Sequence, residues 1–471
     1  MVMVPRMRCV TALVTRSARA AIWPKIPEIR SYSTESVENE FLQSESASRR
    51  RRSITIEKPQ VSAEPMYKEL DKVGDVYEPF CHNHLPHPLA WKKTFSFTRE
   101  QSARHRYFVA RRDTVQEIVS KIGLDDPERK GQKVTVIEAY AGPGTITREL
   151  MKHPSVERVV ALEQVPSFLP SLEELKKDPT MEGFHDKLRI VPESGFVWDS
   201  YDIMIDHGYL SNLENKIPRL GPKAPPMDWE APSPIVFVAQ IPNTVHGEQL
   251  FAQLIHAIPS GFWLFRFGRV KMVFVCGETV AIRALATPQT RDRAKLGATV
   301  QCLSKPELLF SAEQLKPYAD HFYPSIPSIG PRVPITNTFI PNANISSGLS
   351  KRKLSVLSVD PLKHPLVSGR DMDSFEFLAR NLFVLRTKPI SEALKHVAPG
   401  AENVLKMLAP THPRMQNRPE QVILPETPVV ALTNEQLAAL AAVFEKWPFR
   451  PENLFEDGRV LRNSKSDKQF F

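Results

Sequence analysis

The residues this chain lacks narrow what it can be. Its 471 residues include only four cysteines (Cys9, Cys81, Cys276, Cys302), scattered and with no CxxC pair, which excludes a disulfide framework and points to a reducing compartment. No apolar run approaches twenty residues, so no membrane-spanning helix is expected. Glycine is scarce, 19 against 42 prolines, a balance that implies extended connections and interrupted helices. Acids are missing from the start of the chain, where none precedes Glu28.

That acid-free start is also basic. Arg6, Arg8, Arg16, Arg19, Lys25 and Arg30 lie among alanine, valine and serine, the composition of a mitochondrial presequence over residues 1–32, with RSYS (Arg30 to Ser33) as the processing site. These residues contribute +5 of the formal +9, which leaves +4 for the rest. Nucleic-acid binding must therefore rest on local patches, because total charge does not argue for it. Residues 33–78 are polar and charge-mixed, contain RRRR (Arg49 to Arg52), and read as a flexible extension. In CHNHLPH (Cys81 to His87) a zinc site would need a second ligand pair, and none follows. The segment is read as a loop entering the first domain, with no metal.

A hydrophobic content of 42% is enough for a real core. From about residue 100 to 300, short apolar runs alternate with helical stretches, as in an α/β parallel sheet. Val134–Tyr140, Arg158–Glu163, Leu188–Glu193, Pro234–Gln240 and Val270–Cys276 read as strands, and Lys353–Asp360 as one more that closes the sheet. Between the fourth and fifth, Leu250, Leu254 and Ile258 share a helix face. Residues 324–350 read as an irregular insertion. Helical stretches follow at Ser374–Leu385 and Glu392–Leu408, then a proline-rich linker, then a helix with Thr433 and Gln436 in a capping box and Pro448 as its stop.

Two patterns suggest binding chemistry. In EAYAGPGTIT (Glu138 to Thr147), Gly142 and Gly144 form a tight turn after the first strand, with an acid, Glu163, about twenty residues on. Such a turn lets the backbone approach a ligand at a helix N-terminus, or is simply a tight turn with nothing bound. In WLFRFGRVKMVFV (Trp263 to Val275), Arg266, Arg269 and Lys271 are interleaved with Trp263, Phe265 and Phe267, as single-stranded nucleic-acid binding requires. Part of this run is also a core strand, so some of its rings pack. Arg283, Arg291, Arg293 and Lys295 form a second basic cluster.

These two runs, with LTNEQLAALAAVFEKWPFRPENL (Leu432 to Leu454), resemble the fungal branch of the mitochondrial transcription factor B family, over roughly residues 100 to 458. That family descends from the rRNA adenine dimethyltransferases. The resemblance implies a Rossmann-like class I methyltransferase fold over 79–360, a smaller C-terminal helical domain over 361–458, and a basic tail over 459–471. It implies that Gly142, Gly144, Glu163, Ser194 and Gln240 stand where the enzymes hold S-adenosylmethionine, and that QIPN (Gln240 to Asn243) stands where they hold the target adenine. Tyr140 replaces the first glycine of the turn, Ser194 an aspartate, Gln240 an asparagine, and Asn243 the ring that stacks on the flipped base. Adenine methylation is thus expected to be impaired or lost, and cofactor binding doubtful. The expected function is a monomeric mitochondrial initiation factor in the matrix or nucleoid. It would help the single-subunit mitochondrial RNA polymerase recognise and melt promoters by binding DNA through Arg266, Arg269, Lys271, Arg283, Arg291 and Arg293. The alternative is an rRNA adenine N6,N6-dimethyltransferase acting on small-subunit rRNA.

Overall fold

The computed structural model describes residues 77–95, 97, 100–213, 229–324 and 353–454, all within one compact unit, Lys72–Phe471. The expected presequence, nearly all of the extension with its RRRR block, the insertion from residue 325 to 350 and the basic tail lie outside the described residues. In chain order the elements that position the site are β1 (Phe108–Val109), α1 (Arg112–Lys121), β2 (Val134–Ala139), α2 (Thr145–Lys152), β3 (Val156–Leu162), α3 (Leu169–Leu175), β4 (Leu188–Val191), α4 (Asp199–Asp206) and β5 (Pro232–Gln240). They continue with α5 (Val245–Ala257), β6 (Arg269–Gly277), α6 (Glu278–Leu285), α7 (Lys295–Leu303), β7 (Ser304–Phe310), β8 (Phe322–Tyr323) and β9 (Leu354–Pro361). Last come α8 (Met372–Leu382), α9 (Ile390–Lys395) and α10 (Asn434–Glu445).

Seven strands form one sheet in the order β4-β3-β2-β5-β6-β9-β7. The first five are mutually parallel, and β9 runs antiparallel to both β6 and β7. Strand order reverses between β2 and β5, the switch point outside whose carboxyl ends open α/β sheets place ligands. This is the expected class I methyltransferase-like sheet. β7 was not expected from the sequence. It is an edge strand whose Lys305, Glu307 and Leu308 are exposed, and its apolar run is only Leu308–Phe310.

Two-residue alternation sorts the sheet onto two cores. Val136, Val236, Val238, Val273 and Val356 point to the face covered by α1, α2 and α3. Ile137, Phe237, Met272, Phe274 and Leu357 point to the face covered by α4, α5, α6 and α7, and that core continues through Phe375, Leu394, Leu440 and Phe444 of the C-terminal helices. The predicted capping box opens α10: Gln436 backbone N donates to Thr433 Oγ1 at 3.2 Å, and Thr433 N donates to Gln436 Oε1 at 2.9 Å. The expected single helix Glu392–Leu408 is instead two pieces, α9 and a 3-10 stretch Ala401–Leu408, because Pro399–Gly400 interrupts it with Gly400 at φ +79°.

Candidate functional site

The sequence motifs converge at the carboxyl ends of β2, β3 and β5, where the chain has filled the crevice with its own N-terminal segment. Glu163, just past β3, is buried and accepts four hydrogen bonds. Arg106 makes a bidentate pair with it, Nη1 to Oε1 at 2.7 Å and Nη2 to Oε2 at 2.6 Å. Gly142 N donates to Oε2 at 2.7 Å and Val165 N to Oε1 at 2.9 Å. Both members of the ion pair are at most 4% exposed.

The glycines of the turn have structural work. Gly142 adopts φ +62° and turns its amide onto Glu163. Gly144 adopts φ +90° at the start of α2, where a Cβ would sit 2.8 Å from Leu172 and 2.9 Å from Leu175 of α3. Its bareness serves helix packing. Tyr140 holds the left-handed conformation (φ +57°) that a glycine would take freely, and its ring lies buried against the Arg106 guanidinium, 5.2 Å away. Burial pushes its phenol up to about 12, with Arg106 and then Ser194 acting in the opposite direction. The hydroxyl has no hydrogen bond of ordinary geometry. Ser194 is buried, and its hydroxyl caps its own loop by accepting from Phe196 N at 3.2 Å.

Gln240 is also committed within the chain. Its Oε1 accepts from Val109 N at 3.0 Å and its Nε2 donates to Ala141 O at 3.3 Å, so it ties β1 to the glycine turn. Thr145 Oγ1 donates to Val109 O at 2.6 Å, and Asn243 N donates to His105 O at 3.1 Å. Asn243 is half-buried, packed where a Cβ on Gly277 would stand 2.4 Å from its Oδ1. Behind this seal, Trp91, Phe95, Phe108, Val165 and Phe168 form a separate small core. His82 and His84 lie nearby, each with Nε2 on a backbone carbonyl (Ala110 and Pro143), and burial lowers their pKa values to about 4 and about 3. As arranged, these residues do not fit S-adenosylmethionine: the carboxylate that would meet its ribose is saturated, and the space above Gly142 faces Phe108 and Arg106.

The predicted cations divide by burial. Arg269 is 5% exposed and pairs with Glu128 at 2.7 Å and Asp360 at 3.6 Å, which anchors the start of β6. Arg293 is fully buried: Nη1 donates to Ala286 O and Gln301 Oε1, and Nη2 to Asn434 Oδ1 at 2.6 Å, fastening α10 to the loop before α7. These placements correct the expectation that both guanidiniums face a ligand. Arg266 is partly exposed beside Asp202 at 2.5 Å, and Arg283 of α6 pairs with Glu248 of α5 at 2.7 Å. Lys271 is half-buried, and Arg291 is exposed in the loop before α7. Trp263, Phe265 and Phe267, offered by the sequence as stacking rings, are core residues at 3%, 2% and 0% exposure.

Two rings near this run face solvent. Trp198, preceding α4, is 45% exposed, and Phe262 is 52% exposed, with centroids 4.9 Å apart at 72°. Asp202, the partner of Arg266, lies one turn along α4 from Trp198. Phe196 of the loop after β4 stacks on His246 in the first turn of α5, with centroids 3.9 Å apart. Sequence reasoning missed Trp198 and Phe262. The one available signal was the doublet Phe262–Trp263 after Gly261, two adjacent rings of which a single one reaches the core.

The family described as "Ribosomal RNA adenine dimethylase" matches residues 101–422. "Mitochondrial transcription factor 1" of Lachancea kluyveri is 22% identical over 338 residues, covering 71% of this chain and 87% of that protein. "Dimethyladenosine transferase 1, mitochondrial" of Vermamoeba vermiformis is 25% identical over 337 residues, covering 68% and 84%. A solved dimethyladenosine transferase from Plasmodium falciparum aligns with a TM-score of 0.41 at 14% identity, covering 71% of this chain and 96% of that one. Relatives of both names are mitochondrial, and so is this chain. The match spans the sheet, the sealed crevice and much of the C-terminal helical part: the chain belongs to the ribosomal RNA adenine dimethylase family.

Proposed function

We propose that this chain is a mitochondrial transcription initiation factor that helps a single-subunit RNA polymerase recognise and melt promoters by holding single-stranded DNA. The observation that carries this reading is the solvent-facing pair Trp198–Phe262, with Arg266 paired to Asp202 one turn along α4 from Trp198. Rings of this kind stack on bases for about 1–3 kcal/mol each, without sequence preference. Arg266 supplies a phosphate partner when a backbone displaces the exposed carboxylate of Asp202, and Lys271 and Arg291 are further candidate cations. Relatives named as mitochondrial transcription factors support the same reading.

The enzymatic groups are spent elsewhere. Gln240 holds backbone instead of a target amine, and Asn243 offers no ring to a flipped base. S-adenosylmethionine then binds weakly or not at all, and dimethylation is absent or very slow. The second reading, an rRNA adenine dimethyltransferase, is favoured by the retention of Gly142, Gly144 and Glu163 at cofactor positions. Fluorescence anisotropy with a labelled single strand tests the first reading. The parent should bind and Trp198→Ala plus Phe262→Ala should bind much more weakly; equal binding, together with dimethyladenosine formed on small-subunit rRNA from labelled cofactor, would favour the second.

A further inference from the structure

We infer that Arg106 is a built-in occupant of the cofactor crevice, a side chain that stands on Glu163 in place of a ribose and keeps the switch point shut. The guanidinium presents two parallel N–H donors to the two carboxylate oxygens at 2.7 and 2.6 Å, which is the way a vicinal diol would meet the same acid. Gly142 N and Val165 N take the remaining acceptor positions. The guanidinium lies between the rings of Tyr140 and Phe168, at 5.2 and 5.1 Å, with its own side chain 4% exposed. Its backbone cannot swing away freely. His105 is bonded to Asn243, and Val109 to both Gln240 and Thr145, so the segment is tied across the ends of β2 and β5.

A neutral ribose diol cannot displace this fork on equal terms. Its two hydroxyl bonds would replace two charge-assisted ones, and the departing arginine would leave a buried site held by three further ties. Removing the guanidinium while keeping the carboxylate reverses the balance, because Glu163 then has two open acceptor positions aimed into a cavity of the vacated size. The ligand class that fits is a nucleoside with a free ribose diol. This inference concerns the crevice and stands apart from the proposed DNA surface.

Calorimetric titration of the full chain with S-adenosylhomocysteine tests it. The parent should show no saturable binding, and Arg106→Ala should bind at least about tenfold more tightly. Adding Glu163→Gln to Arg106→Ala should abolish the gain. Arg106→Lys, which keeps the charge and loses the fork, should bind more tightly than the parent and less tightly than Arg106→Ala. A parent that binds as tightly as Arg106→Ala, or a folded Arg106→Ala with no gain, would overturn the inference. If circular dichroism shows Arg106→Ala unfolded, Arg106→Lys decides: a gain supports the latch and none overturns it. Single-strand DNA binding by the parent, measured in parallel, separates failure of the latch from failure of the DNA reading.

Discussion

Above β2 and β3 the chain turns its polar groups inward: Glu163 is saturated by Arg106, Gly142 and Val165, and a cluster of rings closes over the switch point. Beyond β4 and β5 it leaves rings outside, with Trp198 at 45% and Phe262 at 52% exposure. The sealed region lies at the carboxyl ends of β2, β3 and β5, whereas Phe262 and Arg266 lie in the segment that enters the amino end of β6. Their difference shows that the motif residues have structural uses of their own. Gly142 and Glu163 remain paired because the acid organises the turn, and Gly144 remains because α2 and α3 close on it. Contact with a partner needs exposed groups, and Trp198 and Phe262 are such groups.

The largest expected effect lies at the sealed end. Arg106→Ala strands a buried carboxylate and should cost about 3–5 kcal/mol in denaturant unfolding, whereas Arg266→Ala, which breaks a partly exposed pair, should cost less than about 1 kcal/mol. Equal costs would erase the contrast. Acid should open the same region next. His82 and His84 are buried neutral with pKa values lowered to about 4 and about 3, mainly by desolvation, with Arg148 also pushing both down. The unfolded chain takes up protons first, below its ordinary 6.5, so their stabilisation is full above that pH and is lost as pH falls toward 4. Melting temperatures should drop over that window by the equivalent of about 3 kcal/mol per histidine, and His84→Gln should flatten the slope. Gln240→Ala should then cost about 1–3 kcal/mol by leaving Val109 N buried without its acceptor, with no change in methylation, which is expected at background in both proteins.

At the exposed rings the readout changes from stability to affinity. Trp198→Ala should leave unfolding nearly unchanged and reduce single-strand binding by about 1–3 kcal/mol. Smallest of all, Arg266→Ala should lower the salt slope of that binding by about 0.7, one phosphate contact on a single strand. A slope that does not move would make Arg266 purely a partner of Asp202.

The sheet was mostly legible because its buried strands are apolar runs. β7 was not, since an edge strand with Lys305, Pro306 and Glu307 reads as polar loop. Gly142 and Glu163 were found through their spacing. Their occupant was not, because Arg106 lies 57 residues before Glu163 and nothing local in RHRYFV announces the pairing. Arg269 and Arg293 illustrate the opposite limit. Sequence shows a cation but not its burial, and both are buried, Arg269 among carboxylates and Arg293 among carbonyl oxygens. The same ambiguity hid Trp198 and made Trp263 look available.

Run-off transcription with the cognate mitochondrial polymerase, on linear and on pre-melted promoter templates, tests the central claim most directly. The parent should stimulate initiation on linear DNA whether or not S-adenosylmethionine is present. Trp198→Ala plus Phe262→Ala should lose most of that stimulation and recover part of it when the template is already open. A parent that gives no stimulation on linear templates, or a double variant as active as the parent on both, would contradict it.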